Sequence, residues 1–250
     1  MISVAILGSG NLAFHLIKNF LKIDGIDLKQ VYSRNLKDVE IFKNEVEIIN
    51  HLDLLEEADV TIVSVSDDAI AEVSATIKNS LVVHTSGSVE MDALKNLTNK
   101  GVFYPLQSFS KEKEIDFDGV PICLEAEHNH DLVILQNLAT LLKGKTYLLN
   151  SDQRKRIHVA AVFVNNFTNH MYSMAQDICK QHKVPFSILY PLISETSQKI
   201  KNLDPIEAQT GPAKRNDELT IKNHLNLLNQ HQQELYLKIT QSIQEYGNKL

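Results

Sequence analysis

Residues 6–15 read ILGSGNLAFH and close a short β-like run, ISVAILG, that starts at Ile2. Gly8 and Gly10 are two apart, and Ala13 lies three further on. In a turn that seats a dinucleotide, the first glycine permits the tight bend and the second lets the backbone approach the pyrophosphate. The third small residue lets helix and strand pack closely. Gly8, Gly10 and Ala13 fill those places, with Ser9, Asn11 and Leu12 between them. The first free N–H groups of the following helix, at its positive end, would then meet the phosphates. The same spacing also serves a plain strand-to-helix turn with no ligand, so the reading depends on what lies further along the chain.

The next β-like run ends in VYSRN, residues 31–35, about where a dinucleotide-binding fold meets the adenosine ribose. An acidic residue there favours NAD by accepting from the 2′-hydroxyl, whereas Ser33 and Arg34 offer donors and positive charge to a 2′-phosphate. NADP is therefore the expected cofactor. A third run, VSVSDDAI at 63–70, places Asp67 and Asp68 to cap a helix, and Ser66 and Asp67 beside the cofactor's path. VVHTSGS at 82–88 repeats the pattern with His84, Thr85, Ser86 and Gly87, small polar residues suited either to a ligand at the carboxyl edge of a sheet or to a turn around a satisfied histidine.

Up to about residue 150, β-branched runs alternate with stretches of helix-like length: ISVAILG, LKQVYS, DVTIVSVS, SLVVHTSG, GVFYPL and GVPICLE. Such alternation predicts an α/β domain, residues 1–150, with a doubly wound, mostly parallel sheet and helices on both faces. Residues 151–181, 185–201 and 217–246 read as helices with no strand-like run between them, which predicts an all-α domain over 151–250.

With 250 residues, 43% of them hydrophobic, the chain can bury a sizeable core. No apolar run approaches the roughly 18 residues that cross a bilayer, and Met1 leads straight into a strand, so a cytoplasmic protein away from membranes is expected. A net charge of −6 argues against a broad nucleic-acid surface and leaves room for a local basic pocket. Cys123 and Cys179 stand far apart, without the spacing of a disulfide framework or a zinc site. EHNHD at 127–131 holds two histidines two apart but no nearby cysteine and no third histidine at ligand spacing, and reads as an exposed helix start; no metal is expected.

Chemistry beside the cofactor falls to the helix that opens near Ser151. At about 100° per residue, Asn165 and Asn169 fall within about 20° of His158 and form one polar stripe. Phe163, Val164, Phe167, Met171 and Met174 gather opposite, toward a core or a partner subunit. His and Asn are poor helix formers, so a stripe made of them suits ligand binding as well as it suits a solvated face. Reduction of a carbonyl or imine needs a proton, for which His158 is the natural acid near neutral pH, with Asn165 or Asn166 holding the reacting group in line. FYPLQSF at 103–109 offers Gln107 and Ser108 as a polar rim. EAQTGPAKRND at 207–217 offers Thr210, Lys214 and Arg215 to a carboxylate or phosphate on the substrate.

Taken in order, ILGSGNLA, YSRN, VSVSDDAI, HTSGS, FYPLQSF, HVAAVFVNNF and TGPAKRND resemble the bacterial Rossmann-like NADP oxidoreductases that carry an uncharacterised helical C-terminal domain. The resemblance covers nearly the whole chain. Those proteins are similar in turn to pyrroline-5-carboxylate reductase, prephenate dehydrogenase and the β-hydroxyacid dehydrogenases. It implies a homodimer through the helical domain and an active site between domains. The catalytic lysine that β-hydroxyacid dehydrogenases place one turn before an asparagine is missing here, since Ala161 and Val162 stand four before Asn165 and Asn166. Two functional readings follow: an NADP-dependent oxidoreductase acting on a small anionic carbonyl or imine, or a non-catalytic dinucleotide-binding regulator.

Overall fold

The computed structural model describes residues 1–78 and 81–247. They divide into two compact units that part between Asn166 and Phe167.

The first unit is built on strands β1 (Ile2–Leu7), β2 (Ile26–Tyr32), β3 (Glu47–Ile49), β4 (Val60–Val63), β5 (Leu81–His84), β6 (Lys100–Pro105), β7 (Pro121–Ala126) and β8 (Lys145–Leu148). They form one sheet in the order β3-β2-β1-β4-β5-β6-β7-β8, parallel except where β7 runs against β6. Leu7 pairs with Tyr32 on one side and Val63 on the other, and Val63 pairs with His84. This register brings the carboxyl ends of β1, β2, β4 and β5 to one level, so the residues that follow each strand share one edge of the sheet. The order β3-β2-β1-β4-β5-β6 reverses direction at β1, the place where doubly wound folds bind nucleotides.

Side chains alternate across the inner strands β1, β4 and β5, and both sets are buried, as in a sheet covered on two faces. Val4 and Ile6 join one cluster with Leu16, Ile17 and Phe20 of α1 (Asn11–Phe20). Ala5 and Leu7 join the other with Ile70 of α2 (Ile70–Ser74), Ile77 and Leu94. Helix α3 (Asn129–Leu141) adds Leu135 and Leu138 to the first face.

Two sequence expectations need correction here. The stretch between β2 and β4 holds three 3₁₀ turns and β3, and that between β5 and β6 one 3₁₀ turn, instead of α-helices, so the second face is covered largely by turns and by the five-residue α2. Strands β3 and β8 were not among the expected runs. Three-residue β3 and the exposed edge strand β8, with Leu148 at 55% exposure, lack the buried β-branched run that marks an inner strand.

Helix α4 (Ser151–Ala161) opens with a capping box between Asn150 and Gln153 and runs into a π-helical turn, Val162–Phe167. The second unit follows as α5 (Thr168–Gln181), α6 (Tyr190–Lys199), α7 (Pro205–Ala208), α8 (Glu218–Leu225) and α9 (Gln230–Gly247). The helix expected over 217–246 is thus two. Asn229 and Gln232 exchange side-chain-to-backbone hydrogen bonds of 3.0 and 3.1 Å, a capping box that starts a new helix. Among the described residues of this unit Ala213 is the only buried apolar side chain. Met171, Met174, Ile178, Leu227, Leu235 and Tyr236 instead line an open apolar groove of about 520 Å³. No helix among the described residues is long and apolar enough to cross a membrane.

Candidate functional site

Gly8 has φ +135°, and a Cβ there would stand 2.0 Å from the Ser64 carbonyl oxygen, so β1 and β4 can close together only around a glycine. Gly10 is the N-cap of α1, with φ −67° and no side-chain capping bond; a Cβ on it would meet nothing within 4 Å. The first intrahelical bond runs from Phe14 N–H to the Gly10 carbonyl at 2.9 Å. That leaves the amides of Asn11, Leu12 and Ala13 as the orphan donors of the helix start. Ala13 is fully buried against the sheet.

These donors open on a cavity of about 540 Å³ that Gly8, Ser9, Gly10, Asn11, Leu12, Ser33, Arg34, Ser66, Asp67 and Ser86 line. Every residue expected to meet the cofactor is there except Ala13. Thr85 of the HTSGS run lines it too, and so do Tyr32, Asn35, Asp38 and Ser64, which the sequence does not single out. Asn35 and Asp38 belong to the turn after β2, where only the first two residues carry the ribose signal. The cradle fits a phosphate-bearing dinucleotide: unpaired amides at a helix N-terminus, open space above Gly10, and a cation at the rim. Arg34 is exposed and makes no ion pair among the described residues.

Ser33 departs from its expected role as a donor. It is buried, and its Oγ donates to the Asn35 carbonyl at 2.9 Å, which spends its one proton locally. Asp67 and Asp68 depart as well. Ser66 caps the 3₁₀ turn Asp67–Ala69 without a side-chain hydrogen bond, and the two carboxylates lie in the first turn itself. His84 is fully buried: its Nδ1 accepts from Ser86 N–H at 3.1 Å, and its Nε2 meets the Glu90 carbonyl at 3.3 Å. Burial, reinforced by the Arg154 charge, pulls its pKa down to about 4, so it is a neutral structural residue.

A second cavity in the same unit, about 610 Å³, is bounded by Tyr104, Gln107 and Ser108 after β6 and by His158, Asn165 and Asn166 from α4 and the π turn. The anchor for α4 is Arg154, a fully buried side chain in ion pair with Glu125. Ser151 locks the same turn, its N–H and Oγ donating to the Glu125 carboxylate at 2.9 and 2.8 Å, while Met91 N–H donates to Ser151 Oγ at 3.0 Å. His158 comes one helical turn after Arg154, on the same face. There its Nδ1 lies 3.0 Å from the Tyr104 hydroxyl, with the two rings edge to face. Gly87 makes room for the pair, since a Cβ on it would stand 2.6 Å from His158 Nδ1 and 2.8 Å from the Tyr104 ring. Tyr104 was not expected from the sequence; it looked like a strand residue, and no local pattern connects it to residue 158.

The straight stripe of His158, Asn165 and Asn169 also needs correction. The π turn slows the advance per residue, so the 100° spacing holds only up to Ala161. Asn165 and Asn166 stay on the cavity with His158, while Asn169 falls in the second unit, as do Thr210 and Arg215, both exposed. The rim loop after Ser108 is clipped along α1: Asn11 Nδ2 donates to the Phe109 carbonyl at 3.0 Å, His15 Nε2 to Ser110 at 2.8 Å and Asn19 Nδ2 to Ile115 at 3.3 Å. At the start of α3 the histidines are exposed as expected, but Asp131 beside them is buried, 2.9 Å from His130 Nε2.

Two family models match the chain. One, described as NADP oxidoreductase, coenzyme F420-dependent, covers residues 3–86. The other, described as a domain of unknown function (DUF2520), covers residues 120–243. No curated protein matches the chain significantly. Among solved structures, an imine reductase from Myxococcus stipitatus in complex with NADP+ is similar over 99% of this chain and 93% of its own, with a TM-score of 0.64 at 14% identity. A 1-pyrroline-5-carboxylate reductase from Streptococcus pyogenes is similar over 100% and 99%, with a TM-score of 0.63 at 14% identity. At these identities the likeness is one of fold. A crystal structure described as a "putative NADP oxidoreductase" from Bacteroides fragilis matches over 98% of both chains, with a TM-score of 0.89 and 39% identity. On that identity and coverage, the chain belongs to the same family as the Bacteroides protein, the NADP oxidoreductases in which a Rossmann-type domain precedes a helical region.

Proposed function

We propose that this NADP oxidoreductase transfers a hydride between the nicotinamide and a small anionic carbonyl or imine compound, and that His158, Asn165 and Asn166 are the residues that serve the reaction. The observation that carries this reading is the convergence of an imidazole, two carboxamides, Gln107 and Ser108 on one cavity, in the same unit as the phosphate cradle. NADPH, when bound, supplies the hydride. In the reducing direction the substrate carbon takes that hydride, and the oxygen or nitrogen, now holding the former π pair, takes a proton from Nε2 of the His158 imidazolium, which is left neutral with its remaining hydrogen on Nδ1. That nitrogen makes no hydrogen bond among the described residues, so it is available to a substrate atom. Asn165 and Asn166 donate amide N–H bonds that fix the acceptor atom in line. Arg34 binds the 2′-phosphate, and the α1 amides of Asn11, Leu12 and Ala13 bind the pyrophosphate. The anion-binding role of Thr210 and Arg215, and of Asn169 as a substrate contact, rests on the sequence alone.

We also take the helical unit to be where a second copy of the chain binds. A unit whose only buried apolar residue among those described is Ala213, and which leaves Leu219 and Leu227 exposed by 71% and 72%, has no core of its own to hold it.

The test is calorimetric titration with NADPH and NADH on the wild-type protein and on Arg34→Ala and His158→Ala, followed by a turnover screen of oxo acids and cyclic imines. Arg34→Ala should lose at least tenfold in NADPH affinity and fall toward the NADH value. His158→Ala should keep its NADPH affinity and lose turnover by about a hundredfold. Nucleotide binding with no turnover of any tested compound in the wild type would favour the non-catalytic regulator.

A further inference from the structure

Tyr104 and His158 are 54 residues apart in the chain and meet at 3.0 Å. Their meeting is well determined on both sides. Tyr104 lies within the β6–β7 ladder, paired with Cys123, and His158 stands one turn beyond the buried Arg154. Gly87 backs onto both rings where no side chain could fit.

We propose that Tyr104 is a positioning residue that holds His158 in the tautomer carrying its proton on Nε2; the inference rests on the role proposed above for His158. The half-buried phenol meets no acceptor among the described residues other than His158 Nδ1, and a protein acceptor within reach takes the hydroxyl proton. If Nδ1 carried the proton and donated it to the phenol oxygen, the phenol would turn its own proton into the cavity, away from the protein. With Tyr104 donating, Nδ1 accepts, and a neutral imidazole must then keep its hydrogen on Nε2. The groups around the phenol keep it protonated. Burial raises its pKa to about 12, Cys123 on β7 and Asp67 on the turn after β4 push the same way, and Arg154 on α4 opposes them.

The consequence is chemical. A neutral histidine with a bare Nε2 would turn a lone pair toward a carbonyl oxygen or imine nitrogen and repel it. With Nε2–H, the cavity presents a donor to such an acceptor even when the imidazole is uncharged. When the imidazole takes up a second proton it does so at Nδ1, Tyr104 turning to accept from it, and Nε2–H already faces the atom that needs a proton. Tyr104 thus narrows the substrate to one that places an acceptor atom at His158.

The deciding experiment is nitrogen-15 NMR of the histidine-labelled protein near pH 8, with His158 assigned from the signal missing in His158→Gln. The wild type should show His158 protonated at Nε2 and bare at Nδ1. Tyr104→Phe should show a mixture of tautomers, and so should Gly87→Ala, whose Cβ would push the pair apart. With an active substrate, Tyr104→Phe should lower kcat about tenfold, with KM within about twofold and NADPH affinity unchanged. A wild-type signal protonated at Nδ1, a Tyr104→Phe spectrum identical to the wild type, or an unchanged kcat would each overturn the proposal. If the wild type turns over no carbonyl or imine, the proposed function fails, and the tautomer spectrum still decides whether Tyr104 orients His158.

Discussion

His84 and His158 share a residue type and differ in what surrounds them. His84 ends β5 fully buried, with both ring nitrogens engaged by backbone groups. His158 is half-buried at the edge of a cavity, with one nitrogen on Tyr104 and the other unengaged among the described residues. The buried site penalises charge, which is why the pKa of His84 falls to about 4. A histidine whose folded pKa lies below its unfolded value of about 6.5 binds its proton in the unfolded chain first. Stability should therefore be highest above pH 6.5 and fall as the pH drops toward 4. On this residue alone the loss between pH 7 and pH 5 is about 2 kcal/mol. Urea denaturation at the two pH values checks it, and His84→Gln, which cannot titrate, should remove most of the difference. A pH dependence just as steep in His84→Gln would place the titrating group elsewhere.

At the scale of the element, the β1–α1 turn makes opposite demands on its two glycines. Gly8 lies at φ +135° with the Ser64 carbonyl where its Cβ would stand, so Gly8→Ala strains the backbone and separates β1 from β4. We expect a loss of at least about 2 kcal/mol, read as a lower urea midpoint. Gly10 has an ordinary φ of −67° and open space at its Cβ position. Gly10→Ala should leave the midpoint within about 0.5 kcal/mol and weaken NADPH binding at least tenfold, because the new methyl projects over the phosphate cradle. If the two variants behaved alike in both measurements, the assignment of the turn to the cofactor would fail. Helix α4 makes a related point. Its start is written in the Asn150 and Gln153 capping box, but the π turn at Val162–Phe167 follows no composition signal; VFVNNF reads as ordinary helix. Such turns are frequent at functional sites, and this one changes the phase of the helix beside the cavity that holds Asn165 and Asn166.

For the whole molecule, the two units have unlike interiors. The sheet unit buries apolar residues on both faces, from Val4 and Ile6 to Leu135 and from Ala5 and Leu7 to Leu94. The helical unit leaves Ile188 and Leu192 exposed by 67% and 62%. An interface between two copies would cover that surface, since obligate homodimer interfaces resemble a domain core cut in half. Sedimentation equilibrium should show a dimer at micromolar concentration, and the thermal midpoint should rise with protein concentration. Leu227→Asp, on the rim of the apolar groove, should shift the equilibrium to monomer. A monodisperse wild-type monomer would overturn the dimer.

The sheet domain, the cofactor and the strand ends that surround the cradle are legible in the amino-acid order. Gly8 carries a conformational requirement and Ala13 a size limit that few other residues meet, and inner strands announce themselves by continuous β-branched runs. Both are local properties, readable within ten residues. Tertiary structure alone decided that His84 is structural while His158 faces a cavity, that Ser33 spends its proton on Asn35, and that α4 loosens into a π turn. It also brought Tyr104 to His158. These depend on burial and on the register of β6 against β7 and of α4 on Glu125, contacts between residues tens of positions apart that no local periodicity encodes.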